Sequence, residues 1–239
     1  VSLTLFIKPK KKLENLLTEK DKEKKLAAME AVKLIESNMI VGLGTGSSAY
    51  YAILEIAELV KNGLQIQGVP TSNKTAELAT QLGIPLLNFQ EVDSIDLTID
   101  GADEFTVSKA LIKGGGGALF REKIVASLSK EEIIITDSSK LVEQLGAFTV
   151  PIEVVPLAIN HVLKEIRLLS GNPVLRKKSG QAFITDNGNY IIDTDFGLIA
   201  DPATLATQLN NIDGLLVHGI FLNLAAKVIM GKGDEVVFY

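Results

Sequence analysis

Twice in succession the chain passes from a short apolar run, through a turn of glycine or hydroxyl residues, into a segment with helical spacing. Residues 39–43 end at Gly44-Thr45-Gly46-Ser47-Ser48, after which Ala49, Tyr50, Ile53, Ile56, Ala57 and Val60 recur with helical period. Residues 64–69 then end at Pro70-Thr71-Ser72-Asn73, and 74–82 read as a helix. Strands separated by helices need crossover connections, which predicts a mostly parallel sheet covered on both faces. Further strands are expected at 84–87, where Pro85 argues for an edge, and at 95–99, 110–112 and 133–135, with a helix over 118–129. A helix over about 21–37 precedes the first strand, with Leu26, Met29, Ala31, Val32 and Ile35 on its inner face.

Past Pro151 the texture changes. Residues 152–155 are mostly β-branched, 156–169 helical, and two β-prone runs at 180–185 and 190–193 flank Asp186-Asn187-Gly188-Asn189, a hairpin signal. With a helix at 203–209 this order suggests a small antiparallel α+β unit. The last stretch, 227–239, resembles two short strands around Gly231-Lys232-Gly233-Asp234 that return to the first sheet. The expected fold class is therefore α/β: a Rossmann-like, mostly parallel sheet domain formed by 1–150 and 224–239, with a smaller ferredoxin-like α+β domain at 151–223.

Composition narrows the function classes. The 239 residues are 46% hydrophobic and 22% charged, a globular balance, and the net charge of -5 offers no broad basic field for nucleic acid. Cysteine is absent, which excludes disulfides, thiolate metal sites and a cysteine nucleophile. The two histidines, His161 in a helical stretch and His218 before a glycine, read as structural residues. No run approaches the roughly 18 apolar residues of a membrane span. The basic residues 8–12 follow the apolar opening 1–7, the reverse of a secretory signal, so a cytoplasmic setting is expected; 14–25 reads as a solvated arm leading into a helix. Small molecules are the expected partners, with neither nucleic acid nor membrane.

Ligands of such a sheet gather at the carboxyl ends of its strands, which singles out the loops 44–48, 71–75, 100–104 and 113–117. The first presents backbone N–H groups and hydroxyls at the positive end of a helix, a cradle for an anion such as phosphate. A dinucleotide would need a carboxylate about 20 positions further on, but that strand end reads Val69-Pro70-Thr71-Ser72-Asn73-Lys74; no Gly-Lys-Ser/Thr follows either. A phosphate monoester fits better. Asp100 and Asp103 bracket a Gly-Ala turn and can face one crevice, while Glu104 points away; they suit sugar hydroxyls or a turn cap better than a metal, for no imidazole or second acidic cluster lies near. Four consecutive glycines, Gly114 to Gly117, cost backbone entropy yet let the main chain approach a ligand. They lie between Lys113 and Glu122, a pair that is either a plain ion pair or, beside a phosphate cradle, an oxyanion stabiliser and a proton shuttle for enolisation. Lys113 and the helix amino end would lower the Glu122 pKa, whereas burial would raise it; the sequence leaves the balance open.

Taken together, 41–49, Pro70-Thr71-Ser72, 96–104, 112–119 with Arg121-Glu122-Lys123, Asp137-Ser138-Ser139-Lys140 and Thr185-Asp186-Asn187-Gly188-Asn189 resemble, in order, the type A ribose-5-phosphate isomerases. The resemblance implies reversible conversion of ribose 5-phosphate to ribulose 5-phosphate through an enediol, in the pentose phosphate pathway, without metal or organic cofactor. It implies Glu122 as the base, Asp100 assisting ring opening and proton movement at the oxygens, Lys113 stabilising the enediolate and Asp103 holding hydroxyls. The implied substrate contacts are Thr45, Gly46, Ser47, Ser48, Lys24 and Lys140, with Gly114, Gly115 and Gly116. It also implies a homodimer or homotetramer, with the small domain at the interface. Ser48 stands where the family often has threonine, which keeps the hydroxyl, and residues 1–22 have no counterpart in the family's short form.

Two other classes share such a sheet. A sugar-phosphate-sensing transcription regulator would need a DNA-binding module, and the residues before Lys24 are too few and uneven for a helix-turn-helix. A coenzyme A transferase would use a glutamate as nucleophile, but Glu122 beside Lys113 and the four glycines matches the isomerase context.

Overall fold

The structure, a computed structural model, describes residues 17–239. The apolar opening, the basic run at 8–12 and the start of the 14–25 stretch lie outside the described residues. Helix α1 (Glu19–Ala31) starts on a capping box in which Thr18 and Asp21 each accept from the other's backbone N–H. Its buried face is Glu23, Ala27, Ala28 and Ala31; of the predicted inner face Ala31, Val32 and Ile35 are buried, Leu26 is half-buried and Met29 is exposed. Small side chains let this helix lie close to its neighbours, and the larger Met29 is left outside.

The alternation that follows is β1 (Ile40–Leu43), α2 (Ser47–Lys61), β2 (Gln67–Pro70), α3 (Asn73–Gln81) and β3 (Ile95–Asp100). Residues 84–87 do not form a strand: Leu86 makes a single bridge to Gly68 at the β2 edge, where Pro85 has no N–H to extend a ladder. Two-residue strands β4 (Glu104–Phe105) and β5 (Leu111–Ile112) come next, then α4 (Leu119–Leu128), which runs directly into β6 (Ser129–Asp137).

The second part of the chain contains β7 (Val150–Val154), α5 (Ile159–Leu168), β8 (Asn172–Leu175), β9 (Lys177–Lys178), β10 (Gln181–Ala182), β11 (Tyr190–Asp195), α6 (Pro202–Asn210), β12 (Leu215–His218) and β13 (Ile220–Phe221). It closes with β14 (Ala225–Lys232) and β15 (Glu235–Phe238). The main sheet has the order β15-β14-β6-β3-β1-β2, parallel except for β15. The chain's end does return to it, through β14 against β6.

A second, antiparallel sheet has the order β12-β7-β11-β8 with α5 and α6 in its connections, a βαββαβ unit. Its second strand is β8 at 172–175, not the predicted 180–185. Pro173 hides β8 from pattern reading, and β8 lies at the sheet's edge where a proline is tolerated. The run at 180–185 pairs only briefly, as β10 with β9 and through an Ile184–Tyr190 bridge below the turn. Strand 110–112 is also placed differently from expectation: β5 belongs to a three-stranded ladder, β13-β5-β4, outside the parallel sheet. One apolar core lies between α1, α2, α3 and the main sheet; another fills the βαββαβ unit; a third, with Phe105, Ile134, Phe221 and Val228, joins the short ladder to the main sheet.

Candidate active site

The close approach of β1 and β3 builds the floor of the site. A Cβ on Gly44 would fall 2.2 Å from Asp100 Oδ1, so only glycine lets the loop after β1 pass that carboxylate. Asp100 Oδ1 accepts from the N–H groups of Thr45 (3.0 Å) and Gly101 (2.7 Å). The Thr45 hydroxyl joins a cluster with Thr71 (2.7 Å), Ser72 (2.9 Å) and Thr75 (3.2 Å), and Thr75 donates to the Gly44 carbonyl. The loops after β1 and β2 are thereby locked together, and α2 opens at Ser47 with its amino end in the cavity wall.

Three of the four glycines face different side chains. The Gly115 N–H donates to Asp103 Oδ2 at 2.7 Å, and a Cβ there would lie 2.5 Å from Asp103 Oδ1. Gly116 faces the Thr45 methyl, and a Cβ on Gly117 would strike the Phe183 ring at 2.6 Å. Arg176 grips this loop from the βαββαβ unit: it forks onto Asp193 and donates to the carbonyls of Gly114 and Gly115, both at 3.1 Å.

Lys113 is buried where the loop begins, with Nζ 2.9 Å from Asp100 Oδ2 and 3.6 Å from Glu122 Oε2. It also donates to the Gly101 carbonyl. Burial disfavours its charge, but Asp100, Glu122 and Glu132 outweigh this and hold its pKa above the ordinary lysine value. Glu122, in the first turn of α4, is buried as well. Burial raises its pKa to about 8; Lys113 opposes the rise, while Asp100, Asp103 and Glu132 add to it. The balance left open by the sequence thus falls to burial. Burial also raises the Asp103 carboxyl, against the pull of the Gly115 N–H and of Lys113, Lys140 and Arg176.

Two further lysines reach the cavity from distant segments. Glu23 on α1 accepts from Ser138 N–H and Oγ, both at 2.9 Å, and from the Gly233 N–H at 2.7 Å, pinning α1 across the ends of β6 and β14. This places Lys24 3.7 Å from Asp137, next to the turn that carries Lys140.

One cavity is lined by Lys24, Thr45, Gly46, Ser47, Ser48, Asp103, Lys113, Gly114, Gly115, Gly116, Glu122 and Lys140, together with Gly101 and Ala102. Every predicted catalytic or substrate residue except Asp100 is in that wall; Asp100 stands behind it, in contact with Lys113. Glu104 turns away, accepting from the N–H groups of Gly146 and Phe148. His161 is exposed on α5, and His218 is buried in a different hollow beside Lys123. Among the described residues no group of three or more histidines and carboxylates is placed to hold a metal ion.

The sequence pattern of ribose 5-phosphate isomerase A (phosphoriboisomerase A) matches residues 67–235. The chain belongs to the ribose 5-phosphate isomerase A family. A ribose-5-phosphate isomerase A of Streptococcus agalactiae is 49% identical over 211 residues, covering 88% of this chain and 95% of the relative. Ribose-5-phosphate isomerase A 1 of Oceanobacillus iheyensis is 43% identical over 221 residues, covering 92% and 99%. Among solved isomerases, a D-ribose-5-phosphate isomerase in complex with phospho-erythronic acid superposes with a TM-score of 0.89 at 40% identity, over 92% of this chain and 98% of that one.

Several contributors to this cavity have no local signature. Arg176 and Glu23 act from positions remote in sequence, and Glu132 looks like any polar residue in a strand. The Asp186-Asn187-Gly188-Asn189 turn was visible, but not its bonds to Arg121 and Asn73, which tie it to α4 and α3.

Proposed function

We propose that the chain interconverts D-ribose 5-phosphate and D-ribulose 5-phosphate through an enediol, as a cytoplasmic step of the pentose phosphate pathway. The observation that carries this reading is the juxtaposition in one cavity of an anion-binding turn, Gly46 to Ser48 with Lys24 and Lys140, and the buried Lys113–Glu122 pair. The phosphate sits in the turn at the amino end of α2. With the sugar open, the Glu122 carboxylate takes the proton from C2, the electron pair moves to form the C1–C2 double bond, and the C1 oxygen becomes an oxyanion opposite Lys113. The C1 oxygen gains a proton, the C2 oxygen loses one, and Glu122 returns its proton to C1. Asp103 holds sugar hydroxyls, and Asp100 keeps Lys113 charged and placed; a role for Asp100 in ring opening requires it to reach past that lysine.

The test is incubation of the purified protein with ribose 5-phosphate and a chelator. Ketose should accumulate, and its absence from folded protein contradicts the reading. We also assign 151–223 as a distinct small domain and its exposed apolar residues, among them Leu157, Leu168 and Val174, as the contact surface of a homodimer or homotetramer. Light scattering that returns a monomer removes that assignment.

A further inference from the structure

One buried carboxyl beside the site has no part in the chemistry above. Glu132 lies in the middle of β6, is 1% exposed, and neither carboxyl oxygen has a hydrogen-bond partner. Unpaired buried polar atoms of this kind are rare and call for an account. The parallel register sets Glu132 beside Thr98 and Ile134 beside Asp100, so Glu132 stands on the same face of the sheet as Asp100, one pleat further from the strand ends. On its other side the register partners are Ala225 and, for Ile134, Val228.

The charged groups around Glu132 come from three elements. β3 supplies Asp100, the end of β5 supplies Lys113, and α4 supplies Glu122. Lys123, also on α4, turns away to the carbonyls of His218 and Ile220, and Lys227 of β14 pairs in register with Ile133 rather than Glu132. The buried cluster therefore holds three carboxyls and one ammonium. Ionised carboxylates crowded around one buried cation repel one another, which favours proton retention at the most buried of them. Burial raises Glu132 to about 7, with Asp100 adding to the rise and Lys113 opposing it.

We propose that Glu132 is a positioning residue for the isomerisation, a buried carboxyl on the same sheet face as Asp100 whose charge governs when Glu122 is ionised. It touches no substrate. Its charge acts on Glu122 electrostatically. The proposal rests on the reading of Glu122 as the base.

The experiment compares kcat/KM against pH for the wild type, Glu132→Gln and Glu132→Leu, with Glu122→Gln as control. Ribose 5-phosphate titrates identically in all assays, so differences between profiles belong to the protein. Both Glu132 variants should remain active, with the acid limb moved to lower pH by on the order of one unit, since a repelling neighbour of Glu122 is gone. Leucine matches the apolar surroundings of Ile134 and Val228 and keeps the test available if glutamine does not fold. Active variants with the wild-type profile overturn the proposal while leaving the proposed function intact. Normal turnover by Glu122→Gln instead overturns the reading of Glu122 itself.

Discussion

Glu122 Oε2 and Lys113 Nζ stand 3.6 Å apart in a buried setting, close enough for the charges to interact and too far for a hydrogen bond. The carboxylate is therefore left able to accept a proton from substrate. Because a base must be ionised, and burial raises Glu122 to about 8, kcat/KM should fall as pH drops below about 8. The stability effect has the opposite direction. The folded state holds the proton more tightly than the unfolded chain, so Glu122 costs stability progressively as pH rises from its ordinary 4.5 toward about 8. Denaturation by urea across that window should show Glu122→Gln gaining on the wild type; a constant difference contradicts the shift.

Gly44 is needed because Asp100 occupies the space of its missing Cβ. Gly44→Ala should push the Asp100 carboxylate off Thr45 and Lys113, costing roughly 1–3 kcal/mol of stability, as overpacking does. Activity should fall with it. Urea unfolding and steady-state kinetics check this, and a variant that matches the wild type in both removes Asp100 from the account.

Arg176 holds the glycine loop through the carbonyls of Gly114 and Gly115 while forked onto Asp193. Lysine keeps the charge but cannot make all these bonds at once. Arg176→Lys should lower kcat/KM about tenfold, the equivalent of one charge-assisted hydrogen bond of about 1.5 kcal/mol. Unchanged kinetics would show that the loop holds its shape without this anchor.

His218 is buried, and its Nδ1 accepts from the Ile220 N–H. Burial, reinforced by Lys123, lowers its pKa to about 3 from an ordinary 6.5. Between those values the unfolded chain binds more protons, so the contribution of His218 to stability is lost as pH falls from about 6.5 toward about 3. His218→Gln should flatten the acid decline of the urea midpoint in that range. A slope equal to the wild type's contradicts the neutral buried histidine.

Much of the site was legible because its parts sit in contiguous stretches with local causes. The turn at 44–48 ends an apolar run and opens a helix, the acids at 100 and 103 flank a tight turn, and Lys113, the glycines and Glu122 follow one another along the chain. Their convergence followed from strand ends lying along one edge, although Lys113 reaches that edge from the short β5 ladder rather than from the parallel sheet. What escaped reading depends on partners far away in sequence. Nothing near Arg176 announces the carbonyls of Gly114 and Gly115, nothing near Glu23 announces the Ser138 turn, and Glu132 acquires its charged neighbours only when β6 lies beside β3. Proline at 173 conceals a strand, and helical periodicity turns Met29 inward because it ranks residues by polarity, not by the close approach that alanine permits.

As the proposed base, Glu122 moves the proton between the first two sugar carbons. Nuclear magnetic resonance of ribose 5-phosphate in deuterium oxide tests it most directly, with wild type and Glu122→Gln at equal concentration. The wild type should form ketose and bring solvent deuterium onto the reacting carbons. The variant should still broaden the phosphate resonance by binding, while exchange at those carbons falls by about 100-fold or more. Exchange by the folded variant at the wild-type rate would contradict the account.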